Sequence, residues 1–409
     1  MASALPAMTL EKTRRLNVLA LSYLFPNRSQ PGYGIFVMNR LRAVSSLCNV
    51  KVIAPVPWYP LLQRLRPSLW KGNVPSNDTI GGLKVFHPRF PVIPRYMKWF
   101  DSLSYWWAAR RVARQLLADE GYEFDVVDVH WTYPDIVAGH RLARSRRKKF
   151  IITVRGHEAL YDQEWSIRRW LVAHFLRRAD FVVTLSAELR DKVVALGVRP
   201  ERVGVVLNGV DLDSFRHLDR DASRAALGLP KDQKILLSVG RLTEGKGHHE
   251  LVRILPELSK RQDVALYIIG GVNPEDDFSH VLLRMIADLG LSNVHIVDRV
   301  THDKLACWYA AADVFCLATQ REGGPNVVLE ALACGTPVVV TNVGAVDEII
   351  EPGSNGFLVD PRQLSALGPT VQEALSRTWD RQAIAARMED WGWSACARQV
   401  MDVYRAIVT

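Results

Sequence analysis

The sequence predicts an α/β protein of two doubly wound domains, and three observations carry that expectation. Short apolar runs alternate with amphipathic stretches along the chain, as in parallel sheets covered by helices on both faces. The 409 residues exceed one ordinary domain. The alternation restarts after Asn208-Gly209, which places the domains at 1–209 and 210–392, with a last helix at 393–409.

Residues 16–21 (L-N-V-L-A-L) read as a buried strand, followed by a turn-rich loop over 26–34. A helix is expected over 35–47, with Ile35, Met38, Leu41 and Leu47 near one face. A strand at 50–54 comes next. Residues 55–95 hold eight of the 21 prolines and are expected to wander irregularly over the surface. A helix over 99–118 leads to strands at 125–129, 150–154, 180–185 and 203–207. The charged, polar stretch 211–232 is expected as a linker. Beyond it, strands are expected at 234–239, 265–269, 294–297, 314–317 and 337–341, with helices between them that include 247–261 and 326–334. Ligands of such sheets bind beyond the carboxyl ends of the strands, so a cleft between two facing domains is the expected site.

Composition narrows the function. The net charge of +9 conceals an asymmetry: residues 1–209 carry 32 Lys and Arg against 16 Asp and Glu, while 210–409 carry 20 against 27. Eight of the twelve tryptophans also lie in the first half. A basic surface attracts nucleic acid, anionic membrane or phosphorylated ligands. Cys48, Cys307, Cys316, Cys334 and Cys396 form no C-x-x-C pair. Neither a disulfide framework nor a zinc cluster is therefore expected, and a reducing cytosol fits. No apolar run reaches the ~18 residues of a membrane span. The opening M-A-S-A-L-P-A-M-T-L-E-K-T-R-R lacks a signal-peptide core. A soluble, cytoplasmic protein is expected.

Two segments carry chemistry. Gly240-Arg241-Leu242-Thr243-Glu244-Gly245-Lys246-Gly247 follows a strand and opens a helix. Glycines let the backbone approach a phosphate, and a helix start offers free N–H groups. Arg241 supplies a planar fork and Lys246 a point charge, both suited to a diphosphate. The run nearly matches the P-loop G-x-x-x-x-G-K-[ST], but position 247 is Gly and lacks the hydroxyl that would hold magnesium. A glycine-rich turn with exposed cations is the plainer alternative. The second segment, Arg321-Glu322-Gly323-Gly324-Pro325-Asn326-Val327-Val328-Leu329-Glu330-Ala331, also lies just past a strand. Pro325 suits a first helical turn and Gly335 a helix stop. Glu322 is expected in the loop and Glu330 on the helix, where a carboxylate among apolar neighbours wants a partner.

These residues resemble the retaining glycosyltransferases of family 4, which have the GT-B fold of two Rossmann-like domains facing across a cleft. The resemblance rests on G-R-L-x-x-x-K-G at 240–247 and the E-x7-E pair Glu322/Glu330. N-G-V-D at 208–211 and N-G-F-L-V at 355–359 also match. E-G-G-P-N-V-V-L-E-A-L-A-C-G-T-P-V-V-V-T at 322–341 resembles a form common among bacterial exopolysaccharide and teichuronic-acid type members, and Y-G-I-F at 33–36 and A-P-V-P-W-Y-P at 54–60 are similar to the teichuronic-acid branch.

The resemblance implies roles. Arg241 and Lys246 would hold the donor diphosphate beside Gly240, helped by the backbone N–H groups of Asn326 and Val327. Glu330 would bind the nucleotide ribose and Glu322 the donor sugar. Gly34 would let the first domain close on the diphosphate, and His157 would stand near the sugar's reacting carbon. Arg299 lies where the family places the nucleobase, although Asp298 replaces a family glycine there. Gly344-Ala345-Val346-Asp347-Glu348 departs from the family's G-G-x-P-E but retains Glu348. The last helix would cross back to the first domain.

The expected activity is retaining transfer of a sugar from a UDP- or GDP-linked donor to a lipid-linked, oligosaccharide or polysaccharide acceptor in cell-surface polysaccharide synthesis. The nucleotide sugar is a substrate, and no cofactor or metal is expected. Asp211-Leu212-Asp213 has the spacing of a metal-binding Asp-x-Asp but reads as a turn. The alternatives are a sugar-nucleotide epimerase, a glycan-binding relative without activity, and a nucleic-acid binder. No recognisable nucleic-acid module supports the last. The segments 61–71 and 95–100 predict docking on anionic membrane, peripherally on the inner face. There Trp70, Trp99, Trp106 and Trp107 suit the headgroup boundary, and Arg64, Arg66, Lys71, Arg95 and Lys98 suit anionic lipid. The competing reading packs the tryptophans of 99–107 inside the domain.

Overall fold

Apolar runs without polar interruption form strands buried on both faces, and the second half shows this most clearly. In the computed structural model, Ile235, Leu237 and Val239 face one hydrophobic cluster, while Leu236 faces another on the opposite side of the same strand. The structure describes residues 14–59, 74–92, 98–160, 167–272 and 276–408, with Lys98, Trp99, His157 and Glu158 described by backbone alone. The cationic segment 61–71 and Arg95 lie outside the described residues.

Contacts divide the chain into two units. The first comprises 1–152, 178–180 and 401–409. Its elements are β1 (Asn17–Leu21), α1 (Ile35–Ser45), β2 (Asn49–Ile53), β3 (Val56–Trp58), β4 (Asn77–Ile80), β5 (Leu83–Phe86), β6 (Arg89–Pro91), α2 (Lys98–Glu120), β7 (Val126–Val129), α3 (Asp135–Arg146) and most of β8 (Lys149–Val154). The strands run in the order β8-β7-β1-β2-β5-β4, all parallel except the edge strand β4. The described residues of the proline-rich stretch, 55–59 and 74–92, are more ordered than expected, because β3 and β6 pair in parallel, with Pro57 opposite Phe90 and Trp58 opposite Pro91. Prolines fit such a short two-stranded ladder, where few N–H groups are required.

The second unit comprises 153–177 and 181–400. It contains α4 (Ile167–Leu176), β9 (Phe181–Thr184), α5 (Ala187–Ala195), β10 (Val203–Val205), α6 (Arg220–Leu227), β11 (Lys234–Val239), α7 (His248–Ser259), β12 (Val264–Ile269), α8 (Ser279–Asp288), β13 (Val294–Val297), α9 (His302–Ala311), β14 (Val314–Leu317), α10 (Asn326–Ala333), β15 (Val338–Thr341), α11 (Val346–Ile349), β16 (Gly356–Val359), α12 (Leu367–Ser376) and α13 (Arg381–Ala386). Six parallel strands follow the order β13-β12-β11-β14-β15-β16. The final helix, α14 (Trp393–Val408), begins in this unit, where the Trp393 amide donates to the Val210 carbonyl at 3.2 Å. Its residues from Met401 onward belong to the first unit, where the Tyr404 hydroxyl donates to the Asp128 carboxylate at 2.5 Å. The compact units thus divide differently from the 209/210 boundary drawn from the sequence. Residues 153–177 and 181–208 group with the second unit, held there partly by the Asn208–Asn326 hydrogen bond.

The expected linker 211–232 contains α6. Asp219 caps this helix by accepting from the Ala222 amide at 2.7 Å, and Gly228 closes it at φ 68°. One of its charges is buried rather than solvated: Arg224 is 1% exposed. Arg224 Nε donates to the Ala311 carbonyl at 3.0 Å, and a second nitrogen donates to the Asp313 carboxylate at 2.7 Å. Asp313 also accepts from the Ile235 amide at 2.7 Å, so one ion pair joins α6, α9 and β11. Breaking a buried pair leaves an uncompensated charge. Arg224→Leu is expected to cost about 3–5 kcal/mol in urea unfolding. The half-exposed neighbour Arg220→Leu should cost about 0–1 kcal/mol.

Candidate functional site

The site grows from the carboxyl ends of β11 and β14. After β11 the chain turns through Gly240 and Arg241 into a short 3-10 turn at Glu244–Lys246, and α7 begins at His248. Gly247 adopts φ 71°, and a Cβ there would collide with the Ala318 carbonyl at the end of β14. The hydroxyl that a magnesium-binding P-loop needs at 247 has no room. A Cβ at Gly270, past β12, would likewise collide with the Gly240 carbonyl. The loop is also tied from the β14 side: the Gly245 carbonyl accepts from Thr319 Oγ1 at 2.9 Å and from the Gln320 amide at 3.0 Å.

Those contacts bring the two motifs together. Lys246 Nζ forms an ion pair and hydrogen bond with Glu322, both half-buried. Arg241 is exposed, and its guanidinium has no ion-pair partner among the described residues. The loop bearing Glu322 is backed by two glycines: a Cβ at Gly344 would meet the Glu322 carbonyl, and one at Gly323 the Arg155 carbonyl. α10 then starts at Asn326 after Pro325. The amides of Asn326 and Val327, in the first turn, have no helical acceptor of their own. One turn on, Glu330 Oε2 accepts from the Tyr309 hydroxyl at 2.9 Å, the partner its apolar setting demanded. Burial pushes the Glu330 carboxyl from an ordinary 4.5 up to about 7, and the Tyr309 hydrogen bond works in the opposite sense.

Of the other expected residues, Arg299 is exposed just past β13. Gly34 stands in the first unit as the residue before α1, at φ 69°, and a Cβ there would collide with the Leu24 carbonyl. His157 opens a 3-10 turn at His157–Leu160, with its side chain outside the described ones.

Several residues behind the site escaped the sequence reading. Asn208 Nδ2 donates to Asn326 Oδ1 at 3.0 Å, and Arg155 donates to Asn208 Oδ1 at 3.3 Å. His248 is buried at the start of α7 and lies between Ser238 Oγ at 3.0 Å and the Arg241 carbonyl at 3.2 Å. Burial lowers its pKa to about 4, so the imidazole stays neutral beside Lys246. Glu348 accepts from the Ala187 amide at 2.8 Å. The family likeness flagged N-G-V-D and Glu348. Only the three-dimensional pairing gives them these roles.

Comparison with known proteins decides the family. Residues 219–391 match the family described as glycosyl transferases group 1, and residues 32–214 match glycosyltransferase family 4. A D-inositol 3-phosphate glycosyltransferase from Frankia alni is 31% identical, with 73% of this chain and 79% of the relative covered. The chain belongs to the family 4, group 1 glycosyltransferases. Its fold is GT-B, with two Rossmann-like domains. Sucrose-phosphate synthase from Thermosynechococcus elongatus superposes with a TM-score of 0.75 at 21% identity, covering 96% of this chain and 99% of that one. Anabaena HepE in complex with UDP-glucose superposes at 0.69 and 18% identity, covering 96% and 100%. The epimerase and nucleic-acid readings give way to this membership. The Frankia relative is described as a D-inositol 3-phosphate glycosyltransferase, not as an enzyme of the exopolysaccharide or teichuronic-acid type.

Within the glycosyltransferase, Asp211 is a turn residue: its carboxylate accepts from the Asp213 amide at 3.3 Å and from Ser214 Oγ at 3.1 Å. Glu330 gives a pH signature. In the unfolded chain it ionises near 4.5, but in the fold only near 7. Stability is therefore lost as pH rises through that window, by about 3 kcal/mol in all at 1.36 kcal/mol per unit. Glu330→Gln keeps an acceptor for Tyr309 and removes the titration. Its stability relative to the parent, from urea unfolding, should be near zero at pH 4.5 and about 3 kcal/mol in favour of Gln at pH 8.

Proposed function

We propose that this glycosyltransferase moves a hexosyl group, with retention and without a metal ion, from a UDP- or GDP-linked sugar. The observation that carries the reading is the Lys246–Glu322 pair, held at the carboxyl ends of β11 and β14 by loops that only glycine permits. Lys246 and the unpartnered Arg241 supply positive charge for the diphosphate. The first-turn amides of Asn326 and Val327 supply N–H groups, and Glu322 accepts from donor-sugar hydroxyls. Glu330, oriented by Tyr309, accepts from the ribose. Gly240 lets phosphate oxygens approach, and Arg299 faces the base. Gly34 and His157 enter this reading on the family resemblance alone.

In this reading the sugar–phosphate bond breaks as the acceptor hydroxyl attacks from the same face. The leaving phosphate takes the acceptor proton while Arg241 and Lys246 hold the charge that develops on it. Fixed cations already in place need no reorganisation during bond breaking. Binding both substrates in one orientation supplies much of the remaining barrier reduction.

Two acceptor classes compete. The Frankia relative is described by D-inositol 3-phosphate. The motifs at 33–36 and 54–60 point instead to a lipid-linked or polysaccharide acceptor in cell-surface polysaccharide synthesis, on the inner face of the membrane. The basic first half suits a phosphate-bearing acceptor of either class. Among the described residues, no helix is long and apolar enough to cross a membrane. Transfer of label from UDP- and GDP-sugars to inositol 3-phosphate or to membrane-extracted lipid-linked saccharides separates the two.

Two outcomes test the donor half. Arg241→Ala and Lys246→Ala should each lower turnover by about 10²-fold or more, as loss of a preorganised charge-stabilising donor does. Thermal unfolding without ligand should change little. Near-parental turnover in both variants defeats the assignment. Transfer should also persist in excess EDTA, and activity that vanishes in chelator and returns with magnesium or manganese overturns the metal-free reading.

A further inference from the structure

Several lysines of the first unit are neutralised by partners within it. Lys51 and Lys84 share Glu120 at 2.5 and 2.6 Å, Lys148 pairs with Glu123 at 3.2 Å, and Lys149 with Asp180 at 3.7 Å. The arginines of α2 and α3 differ. Arg110, Arg111 and Arg114 on α2, and Arg141 and Arg146 on α3, have no acidic partner among the described residues. All but the half-buried Arg110 are exposed. An α-helix turns about 100° per residue, so Trp107, Arg110, Arg111 and Arg114 share an arc of about 100° on α2. Trp107 is 60% exposed on that arc.

α3 packs beside α2, and the guanidinium groups of Arg110 and Arg141 both lie over the Trp106 ring, 5.3 and 4.8 Å from its centroid. Between the helices is a hollow of about 450 Å³, inside the roughly 300–1,000 Å³ range of ligand sites. Arg110, Arg114 and Arg146 line it together with the apolar Leu117, Phe124 and Leu142. Grouped like charges repel, and an anion among them relieves the repulsion. The planar guanidinium fork matches phosphate oxygens in particular. Apolar side chains beside the arginines suit a phosphate ester that carries an apolar part.

We infer that this α2–α3 face docks the protein on an anionic phospholipid bilayer, with a headgroup phosphate in the hollow and Trp107 at the headgroup boundary. A soluble phosphate would satisfy the arginines but leave the indole in water. A nucleic-acid strand is followed by a continuous groove rather than met by one hollow. Arginine and an exposed tryptophan on one helix arc are the combination that interfacial helices use. The face is distinct from the segment 61–71 singled out in the sequence. It supplies the bilayer contact that a lipid-linked acceptor calls for, and it is independent of the donor chemistry.

The test is flotation of the full chain with phosphatidylcholine vesicles prepared with and without phosphatidylserine. Binding should require phosphatidylserine. It should fall at least tenfold between about 0.1 M and 1 M salt, as the Debye length shrinks from about 10 to 3 Å. Arg114→Glu combined with Arg146→Glu should weaken it at least tenfold and leave thermal unfolding unchanged. Arg261→Glu combined with Arg284→Glu makes the same charge change at exposed residues of the second unit and should weaken it far less. Trp107→Ala should weaken binding at fixed charge. Thermal stabilisation by UDP- or GDP-sugars should be the same in the Arg114/Arg146 variant as in the parent, so a failed donor reading is seen separately. The inference is overturned if phosphatidylserine vesicles never float the protein at low salt, or if they float the Arg114/Arg146 variant like the parent. It is overturned in favour of 61–71 if only the combined Arg64→Glu, Arg66→Glu and Lys71→Glu change abolishes flotation. It is overturned in favour of a nucleic acid or a soluble phosphate if a single-stranded oligonucleotide or glycerol 3-phosphate binds with the same arginine dependence and vesicles do not.

Discussion

Close backbone approach at glycine is the constraint on which the site depends. Three strand ends, those of β11, β12 and β14, converge only because Gly247 and Gly270 present no Cβ to the carbonyls of Ala318 and Gly240. Gly247 adds the left-handed φ of 71°, where other residues are strained. The convergence delivers Lys246 to Glu322 and leaves Arg241 exposed. It also fixes the identity of position 247 for a reason unrelated to metal chemistry: the residue must be small before it can be functional. The Glu322 loop repeats the device through Gly323 and Gly344.

Behind that frame, two charges lean on partners from other elements. Glu330 leans on Tyr309 of α9, and Arg224 of α6 on Asp313 before β14. Partners of this kind do not cancel the cost of burial. Glu330 keeps a raised pKa despite its hydrogen bond, because desolvation is the larger effect. A carboxylate kept at such cost in an otherwise apolar helix is a functional signature, since a packed apolar residue would be more stable there.

Features set by neighbours in the chain were legible in the sequence. The strand at 234–239 is β11 and the strand at 314–317 is β14, because apolar runs bounded by turn residues need no distant information. The glycine-cation loop and the placement of Glu322 in a loop and Glu330 on a helix were readable for the same reason. What escaped depends on long-range pairing. β3 and β6 join residues 56–58 to 89–91. The Arg155–Asn208–Asn326 chain joins residues 53 and 118 positions apart. The stretch 211–232 was read as linker because most of its charge is solvated, yet it holds α6, anchored by Arg224 in the core.

That last error bears on how the basic first half should be read. Its net charge overstates the charge a ligand would meet. Arg40 is 1% exposed, and Lys51 and Lys84 share Glu120. Trp106, expected at a lipid boundary, is half-buried, with the guanidinium groups of Arg110 and Arg141 5.3 and 4.8 Å from its ring centroid. Those cations serve packing as well as charge. Trp107, the next residue, meets the Trp106 ring edge-on with centroids 5.6 Å apart, yet is 60% exposed. Adjacent tryptophans thus differ in burial, because neighbouring residues lie about 100° apart around a helix. The bulk positive charge sets only the sign of what approaches.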